Sequence, residues 1–402
     1  MNVLFLVGSL AISGGTNVIL QHATFLARQG NDVAIAVPDG HLPQAPAWHD
    51  SAHLLIFYTF QEAMVHTFDI VIATWWETSL SLHRFSANHH AYFVQSIESR
   101  FYPPQRASLR RLIDDTYSLP VAFGTEASWI ASHLHDQYGQ VAKLVRNGIR
   151  KDVYTLLGDR HAPRPYGAPR VLIEGPFRTT FKNTATAILL ANEAGAKDVW
   201  VLTSSPTLWL PGTQRVFSQV PAAETASIYR SCDILLKLST VEGMFGPPLE
   251  MFHCGGTAVV LPVSGHDEYI VDGTNALVAP SSDPNAIVST VRKLLADKAV
   301  LSRLKREAHA TANAWPDWTE SSAKFSRWLD ECKEARPTER VVLAAACEAL
   351  NLKQAEIRGT VNVSPARRFA RAAYSAMPRT AQLVVDTVRA SSEVIRAKRI
   401  LQ

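Results

Sequence analysis

The chain has no Cys-x-x-Cys pair, no apolar run of about 18 residues and no large excess of either charge. Its four cysteines, Cys232, Cys254, Cys332 and Cys347, are scattered. That excludes structural zinc and fits a reducing compartment. The fourteen histidines include no His-Glu-x-x-His or similar ligand spacing, so no metal site is expected. A net charge of only +4 gives no global support for nucleic-acid binding. Without a long apolar run, no helix is expected to cross a membrane. The apolar start, Met1 to Gly8, lacks a basic flank and is too short for a signal peptide; it reads as a buried strand. The expected compartment is the cytoplasm.

What is present has the balance of a globular protein: 402 residues, 47% hydrophobic and 19% charged, enough for two domains with full cores. Apolar runs alternate with helical patterns, which argues for a parallel α/β architecture. Strands are expected at 2–7, 32–37, 53–58, 69–73, 91–94 and 120–123, with a helix over 16–29 opened by Ser13-Gly14-Gly15 and closed by Gly30. A second series begins near Arg170, with strands at 171–175, 199–202, 232–236 and 258–261. Residues 158–169, rich in Gly and Pro, read as a linker. The expected domains are therefore 1–157 and 170–315, each doubly wound, followed by 316–332 and a basic helical extension over 333–402.

Residues 236–260 carry the chemistry. A strand runs into a Gly-rich loop and then a helix, with Glu242 before the glycines and Glu250 one turn inside the helix. Gly243 and Gly246 allow close backbone approach, and Pro247-Pro248 suit a first helical turn. A helix N-terminus favours negative charge such as a phosphate. Two carboxylates beside an anion site point to a ligand with both hydroxyls and phosphate, a description that a nucleotide sugar meets. Each acid alone is also explained as a dipole-complementing or solvated residue.

Glu242-Gly243-Met244-Phe245-Gly246-Pro247-Pro248-Leu249-Glu250 resembles the Glu-x7-Glu signature of the family-4 retaining glycosyltransferases. His253-Cys254-Gly255-Gly256-Thr257-Ala258-Val259-Val260 and the stretch His266 to Val278 resemble the segments that follow it in that family. The resemblance covers roughly residues 1–330 and is strongest over 220–280. It implies a GT-B fold: two Rossmann-like domains facing a cleft, a donor bound there, and a late helix, here 316–332, returning to the first domain. It also implies transfer without a metal or other cofactor, the nucleotide-diphosphate sugar being a co-substrate.

In such a reaction negative charge grows on the leaving diphosphate, so fixed cations must meet it. Lys182-Asn183 matches the end of the family's Gly-Arg-x-x-x-x-Lys segment; Arg178 stands one place closer to the lysine than usual. By the resemblance Glu242 contacts sugar hydroxyls and Glu250 the ribose diol, since a carboxylate accepts two hydrogen bonds. The amides of Met244, Phe245 and Gly246 touch sugar or phosphate. Gly14 and Gly15 resemble the family's first glycine loop. Where many relatives carry a His near the anomeric carbon, this chain has Gln95, which cannot shuttle a proton but can accept a hydrogen bond. Glu98 is a reserve acid. Trp75-Trp76-Glu77 ends a strand and is a candidate acceptor platform, or core. The run Tyr92 to Pro103 resembles rhamnosyltransferase-like members, which tilts the donor toward a deoxy-hexose on a dTDP carrier.

Residues 365–402 hold eight Arg or Lys against Asp386 and Glu393, and Val384, Val388 and Ile395 share one helical face. Two readings stand: an amphipathic tail on an anionic membrane surface, or a helix packed on the body by that face. The activity expected is hexosyl transfer to a glycan or lipid-linked glycan in bacterial surface polysaccharide synthesis. A sugar-nucleotide epimerase would need a different acid and His set. A sugar-nucleotide-binding protein with weak turnover stays open because of Gln95 and Arg178. A nicotinamide dehydrogenase needs Gly-x-Gly-x-x-Gly, and the chain has Gly8-Ser-Leu-Ala-Ile-Ser-Gly14-Gly15 instead.

Overall fold

Thirteen parallel strands, described in a computed structural model, form two sheets; the description covers residues 1–164, 167–360, 370 and 373–401. The first unit comprises Met1–Gly148 and Pro316–Asn362. Its strands are β1 (Asn2–Leu6), β2 (Asp32–Val37), β3 (Ile56–Thr59), β4 (Thr67–Ala73), β5 (Ser86–Val94), β6 (Ala122–Thr125) and β7 (Ala142–Leu144). Their order is β3-β2-β1-β4-β5-β6-β7, so the winding reverses between β1 and β4. Both faces of this sheet are covered, which is why β1 reads as a continuous apolar run. Val3 and Phe5 join one core cluster, Leu4 and Leu6 the other.

The second unit comprises Ile149–Trp315 and Val363–Gln402. Its strands are β8 (Val171–Glu174), β9 (Val199–Thr203), β10 (Arg215–Ser218), β11 (Ile234–Lys237), β12 (Thr257–Val260) and β13 (Leu277–Val278). The order is β10-β9-β8-β11-β12-β13, with the reversal between β8 and β11. Ligands of open α/β sheets bind outside the carboxyl ends of strands at such a reversal. That places the groups following β1 and β4, and those following β8 and β11, at the two positions to inspect.

The chain divides at Gly148 rather than at a 158–169 linker. Gly148 packs so tightly that a Cβ there would lie 2.4 Å from the backbone of Asp317 and Trp318. Asn147 of the same dipeptide is buried and donates to Glu126 Oε2 at 2.8 Å. This Asn-Gly therefore serves a close backbone crossing as well as a turn. The helix Trp318–Glu334 belongs to the first unit, where Phe325 and Trp328 are buried.

The region 333–402 is not one extension. Helix Arg340–Thr360 buries Leu343 and Cys347 in the first unit. Helix Arg379–Leu401 packs in the second unit against helix Thr184–Glu193, through Ala390 and Val394. Val384, Val388 and Ile395 are not the packing face: each is more than half exposed. The buried side of this helix carries Thr387, Ala390, Ser391 and Val394, whose small groups permit close approach. Arg367, Arg368 and Arg371 lie outside the described residues, as do 165–166 of the expected linker. Among the described residues no helix is long and apolar enough to cross a membrane.

Candidate active site

In the second unit the parallel register puts Leu236 beside Ile173, and one residue further on Lys237 and Glu174 lie together at the carboxyl ends of β11 and β8. Lys237 is 2% exposed and its Nζ bonds the Glu174 carboxylate. The same ammonium lies 3.7 Å from Glu242 Oε1. Lys182, from the turn at Thr180–Lys182, donates to Glu242 Oε2 at 2.7 Å. Two lysines thus hold one buried acid. Burial pushes the Glu242 carboxyl up, but Lys182 and Lys237 outweigh it and hold the carboxyl below its ordinary range. Burial pulls Lys237 down, but Glu174 and Glu242 outweigh it and raise it. Glu242 and Lys237 are therefore both charged at neutral pH.

Lys237 escaped the sequence reading because it sits inside an apolar strand run, Ile234-Leu235-Leu236-Lys237-Leu238. The signal was available: a lysine amid buried strand residues needs a paired acid.

Glu250 is half-buried in helix Gly246–His253 and receives the hydroxyls of Tyr229 and Tyr154. Burial raises its carboxyl to about 7. It titrates near neutrality, whereas Glu242 stays ionised.

The helix end that Glu250 stands on is a poorer anion site than its sequence implies. The Gly246 N–H donates to Met244 O at 3.0 Å, and Pro247 and Pro248 have no N–H to offer. Phe245 is buried and its carbonyl accepts the Tyr269 hydroxyl. The helix dipole remains, but most first-turn donors are spent or missing. An anion here is met chiefly by side-chain cations. Gly243, expected in the donor site, is part-buried beside Glu242.

Arg178 is placed apart from this cluster. Its side chain is exposed, its φ is +64°, and its N–H donates to Glu393 of helix Arg379–Leu401 at 3.0 Å. Among the described residues no hydrogen bond or ion pair joins Arg178 to Lys182 or Glu242. It lines a depression of about 520 Å³ with Ser204, Ser205, Tyr374 and Asp386. The shift of one residue toward the lysine coincides with this left-handed turn.

In the first unit, Gly14 and Gly15 are not a loop but the first turn of helix Gly14–Arg28, capped by Ser13, whose hydroxyl accepts the Thr16 N–H at 3.1 Å. A Cβ on Gly15 would lie 3.3 Å from Gln95 Oε1, so the glycine makes room for that amide. Gln95 follows β5 and donates through Nε2 to Thr74 O at 3.2 Å. Its Oε1 is buried and takes no hydrogen bond among the described residues. The Nε2 bond thus fixes the amide with its acceptor oxygen unused.

Trp75 is half-buried and stacks on Phe101 with ring centroids 5.9 Å apart. Trp76 is 3% exposed, in the core, with no face left for a sugar; the acceptor-platform reading fails for this residue. Glu77 is exposed and pairs with Arg358 at 3.2 Å. Glu98 does not face an acceptor either. It is 1% exposed, accepts the Trp76 N–H at 2.6 Å and the Tyr92 hydroxyl at 3.1 Å, and burial raises its carboxyl to about 8. Glu98 thus anchors the start of helix Trp76–Ser79, next to Trp75, and is a positioning residue.

Residues 203–311, which contain the Glu242–Glu250 motif, match the family model described as glycosyl transferases group 1. Over 260 residues the chain is 25% identical to the O-antigen biosynthesis protein RfbC of Myxococcus xanthus, covering 61% of this chain and 20% of that protein. The chain thus spans about a fifth of the length of that curated relative. Among solved structures it is similar to sucrose-phosphate synthase from Thermosynechococcus elongatus, with a TM-score of 0.63 and 13% identity over 82% of this chain and 98% of that one. It is also similar to Anabaena Alr3699/HepE in complex with UDP and glucose, with a TM-score of 0.62 and 14% identity over 82% and 100%. The fold is therefore GT-B. The segment that matches the glycosyl transferases group 1 model lies in the second unit and spans residues 220–280, where the resemblance is strongest.

Proposed function

We propose that the chain is a retaining glycosyltransferase. It moves a hexose or deoxy-hexose, such as rhamnose, from a nucleotide-diphosphate sugar to a glycan or lipid-linked glycan acceptor in bacterial surface polysaccharide synthesis. The observation that carries this reading is the Lys182–Glu242–Lys237–Glu174 cluster at the sheet reversal of the second unit, inside or beside the matched segment. RfbC is named for O-antigen biosynthesis, and the HepE structure holds UDP and glucose; both agree with a nucleotide-sugar donor and a glycan product.

In this reading the donor diphosphate takes Lys182 from Glu242. The carboxylate, still held by Lys237, then accepts hydroxyls of the sugar. Glu250 accepts the ribose diol. The anomeric carbon–phosphate oxygen bond breaks while the acceptor oxygen bonds the same face, and the leaving phosphate takes the acceptor proton. Lysine charge meets the charge that develops, so no metal is required and a chelator leaves the rate unchanged. Gln95, with its unused Oε1, and the Trp75 ring serve an uncharged acceptor on the first unit. The site of action is the cytoplasmic face of the membrane.

Thermal shift against UDP-, GDP- and dTDP-sugars tests the donor, because a ligand that binds only the folded state raises the melting temperature. A stabilising sugar nucleotide that is then transferred or slowly hydrolysed supports the proposal. Stabilisation with neither reaction would favour the binding-protein reading, for which Gln95 in place of a proton-carrying side chain speaks. No stabilisation by any of the three would overturn the donor assignment.

A further inference from the structure

Helix Arg379–Leu401 leaves an apolar stripe in solvent. Val384 is 55% exposed, Val388 59% and Ile395 51%. These lie within about 40° of one another around a helix of 3.6 residues per turn. The loop after β9 adds Leu208 and Trp209, 58% and 59% exposed. That loop is tied to the helix at the residue before Val388: the Leu208 N–H donates to Thr387 Oγ1 at 3.0 Å. Neither the core nor the candidate donor site uses these five side chains.

The charges of the helix are sorted. Its two acids are engaged by the second unit itself: Asp386 accepts the Tyr374 hydroxyl and pairs with Arg389 at 3.5 Å, and Glu393 accepts the Arg178 N–H. Arg396, Lys398 and Arg399 are exposed, and among the described residues no acid pairs with them. Cations in a last turn complement the helix dipole, which accounts for Lys398 and Arg399 but not for an apolar stripe beside them.

We infer that this face of the second unit is a docking surface for an anionic lipid bilayer. Val384, Val388, Ile395, Leu208 and Trp209 enter the interfacial layer, and Arg396, Lys398 and Arg399 meet acidic headgroups. Apolar side chains flanked by unpaired cations suit an interface that is greasy below and negative above. An exposed Trp next to them fits the headgroup level, where its ring is half wet. A second copy of the chain is a worse occupant. A twofold contact with the two helices parallel would bring the same unpaired cations of two copies together. The surface carries the lipid-linked acceptor reading one step further, yet it uses residues separate from the donor cluster.

The test is co-sedimentation of the full chain with vesicles of phosphatidylcholine alone and with about a third phosphatidylglycerol. The chain is expected to bind the anionic vesicles selectively and to leave them as salt rises. Joint Arg396→Gln, Lys398→Gln and Arg399→Gln should weaken that binding on the order of a hundredfold. Joint Trp209→Ser, Val388→Ser and Ile395→Ser should weaken it at least about tenfold. Both variants should keep the wild-type melting temperature and its rise with the sugar nucleotide that stabilises the parent, which separates this surface from the donor site. Equal binding to neutral and anionic vesicles, or binding that survives both variants, would overturn the inference. So would a wild-type dimer that the apolar variant converts to monomer with vesicle binding unchanged.

Discussion

The two sheets present opposite chemistry at equivalent places. Beyond β8 and β11 the second unit gathers Glu174, Lys182, Lys237 and Glu242 in a chain of ion pairs, with Lys237 and Glu242 buried. Beyond β1, β4 and β5 the first unit gathers Gly15, Trp75 and Gln95, none of them charged, over one acid that burial raises to about 8. Burying charge is costly unless each ion is paired and hydrogen-bonded. The second unit bears that cost with two lysines on one carboxylate. The first avoids it. The topology is shared, so in the proposed reaction the difference would follow from the ligands: a diphosphate calls for fixed cations, whereas a neutral sugar needs an aromatic face and an amide.

The sharpest way to break this comparison is to remove the cation from one side and the amide from the other. Lys182→Met should lower transfer about a thousandfold, by analogy with losing a preorganised partner of a developing anion. Gln95→Ala should cost about tenfold, the scale of one neutral hydrogen bond. Initial rates at saturating donor decide it. Equal losses in the two variants would mean that charge handling is not confined to the second unit.

Glu98 is the next handle, because burial beside the first unit's candidate site makes it resist ionisation. Its folded carboxyl titrates near 8 against an ordinary 4.5, so the folded state holds the proton more tightly than the unfolded chain does. Stability then falls as pH rises from about 4.5 to about 8 and is level beyond. The slope amounts to a few kcal/mol at about 1.4 kcal/mol per unit. Glu98→Gln keeps an acceptor for the Trp76 N–H and should flatten the slope. Denaturant midpoints between pH 5 and 9 measure it, with hydrogen exchange assigning the change to the first unit.

How much of this was legible in the sequence depended on whether the cause was local. The strands β1, β2, β4, β5, β8, β9 and β12 show as apolar runs because both faces are buried. The short edge strands β7, β10 and β13 did not show: Ala142-Lys143-Leu144 and Arg215-Val216-Phe217-Ser218 carry polar residues on exposed faces. The acid pair Glu242 and Glu250 was readable from its spacing. That Lys237 would hold Glu242 was not, since only the pairing of β11 with β8 brings Glu174 alongside. The sequence leaves Trp76 between acceptor platform and core and offers Glu98 as a reserve acid, because burial is set by what packs from elsewhere. For the tail helix, a helical wheel groups Val384, Val388 and Ile395 correctly. It cannot reveal that Ala390 and Val394 would win the contact with helix Thr184–Glu193.

Gly148 sharpens the comparison from the structural side. Gly148→Ala sets a Cβ against the Asp317–Trp318 backbone, which has no flexible side-chain end to yield. Strain of this kind typically costs about 1–3 kcal/mol. It should lower the stability of the first unit while the second unit's nucleotide-sugar affinity stays at the parent value. A variant with unchanged first-unit hydrogen exchange would show that the crossing is looser than 2.4 Å implies.

Glu250 offers the smallest effect and the most discriminating one. Burial raises its carboxyl to about 7, and the carboxylate form is the one that accepts two hydroxyls. Nucleotide affinity should therefore increase as pH rises through about 7 and level off above it, while folding stability drifts the other way between about 4.5 and 7. Glu250→Gln should lose about tenfold in affinity at pH 8 and lose the pH dependence of both properties. Glu242 gives the contrast: two lysines keep it ionised, so Glu242→Gln should lower turnover equally at pH 6 and pH 8. If affinity in Glu250→Gln still rose through pH 7, the titrating group would lie elsewhere in the second unit. Glu250 would then be a structural partner of Tyr154 and Tyr229 rather than the group that holds the ribose.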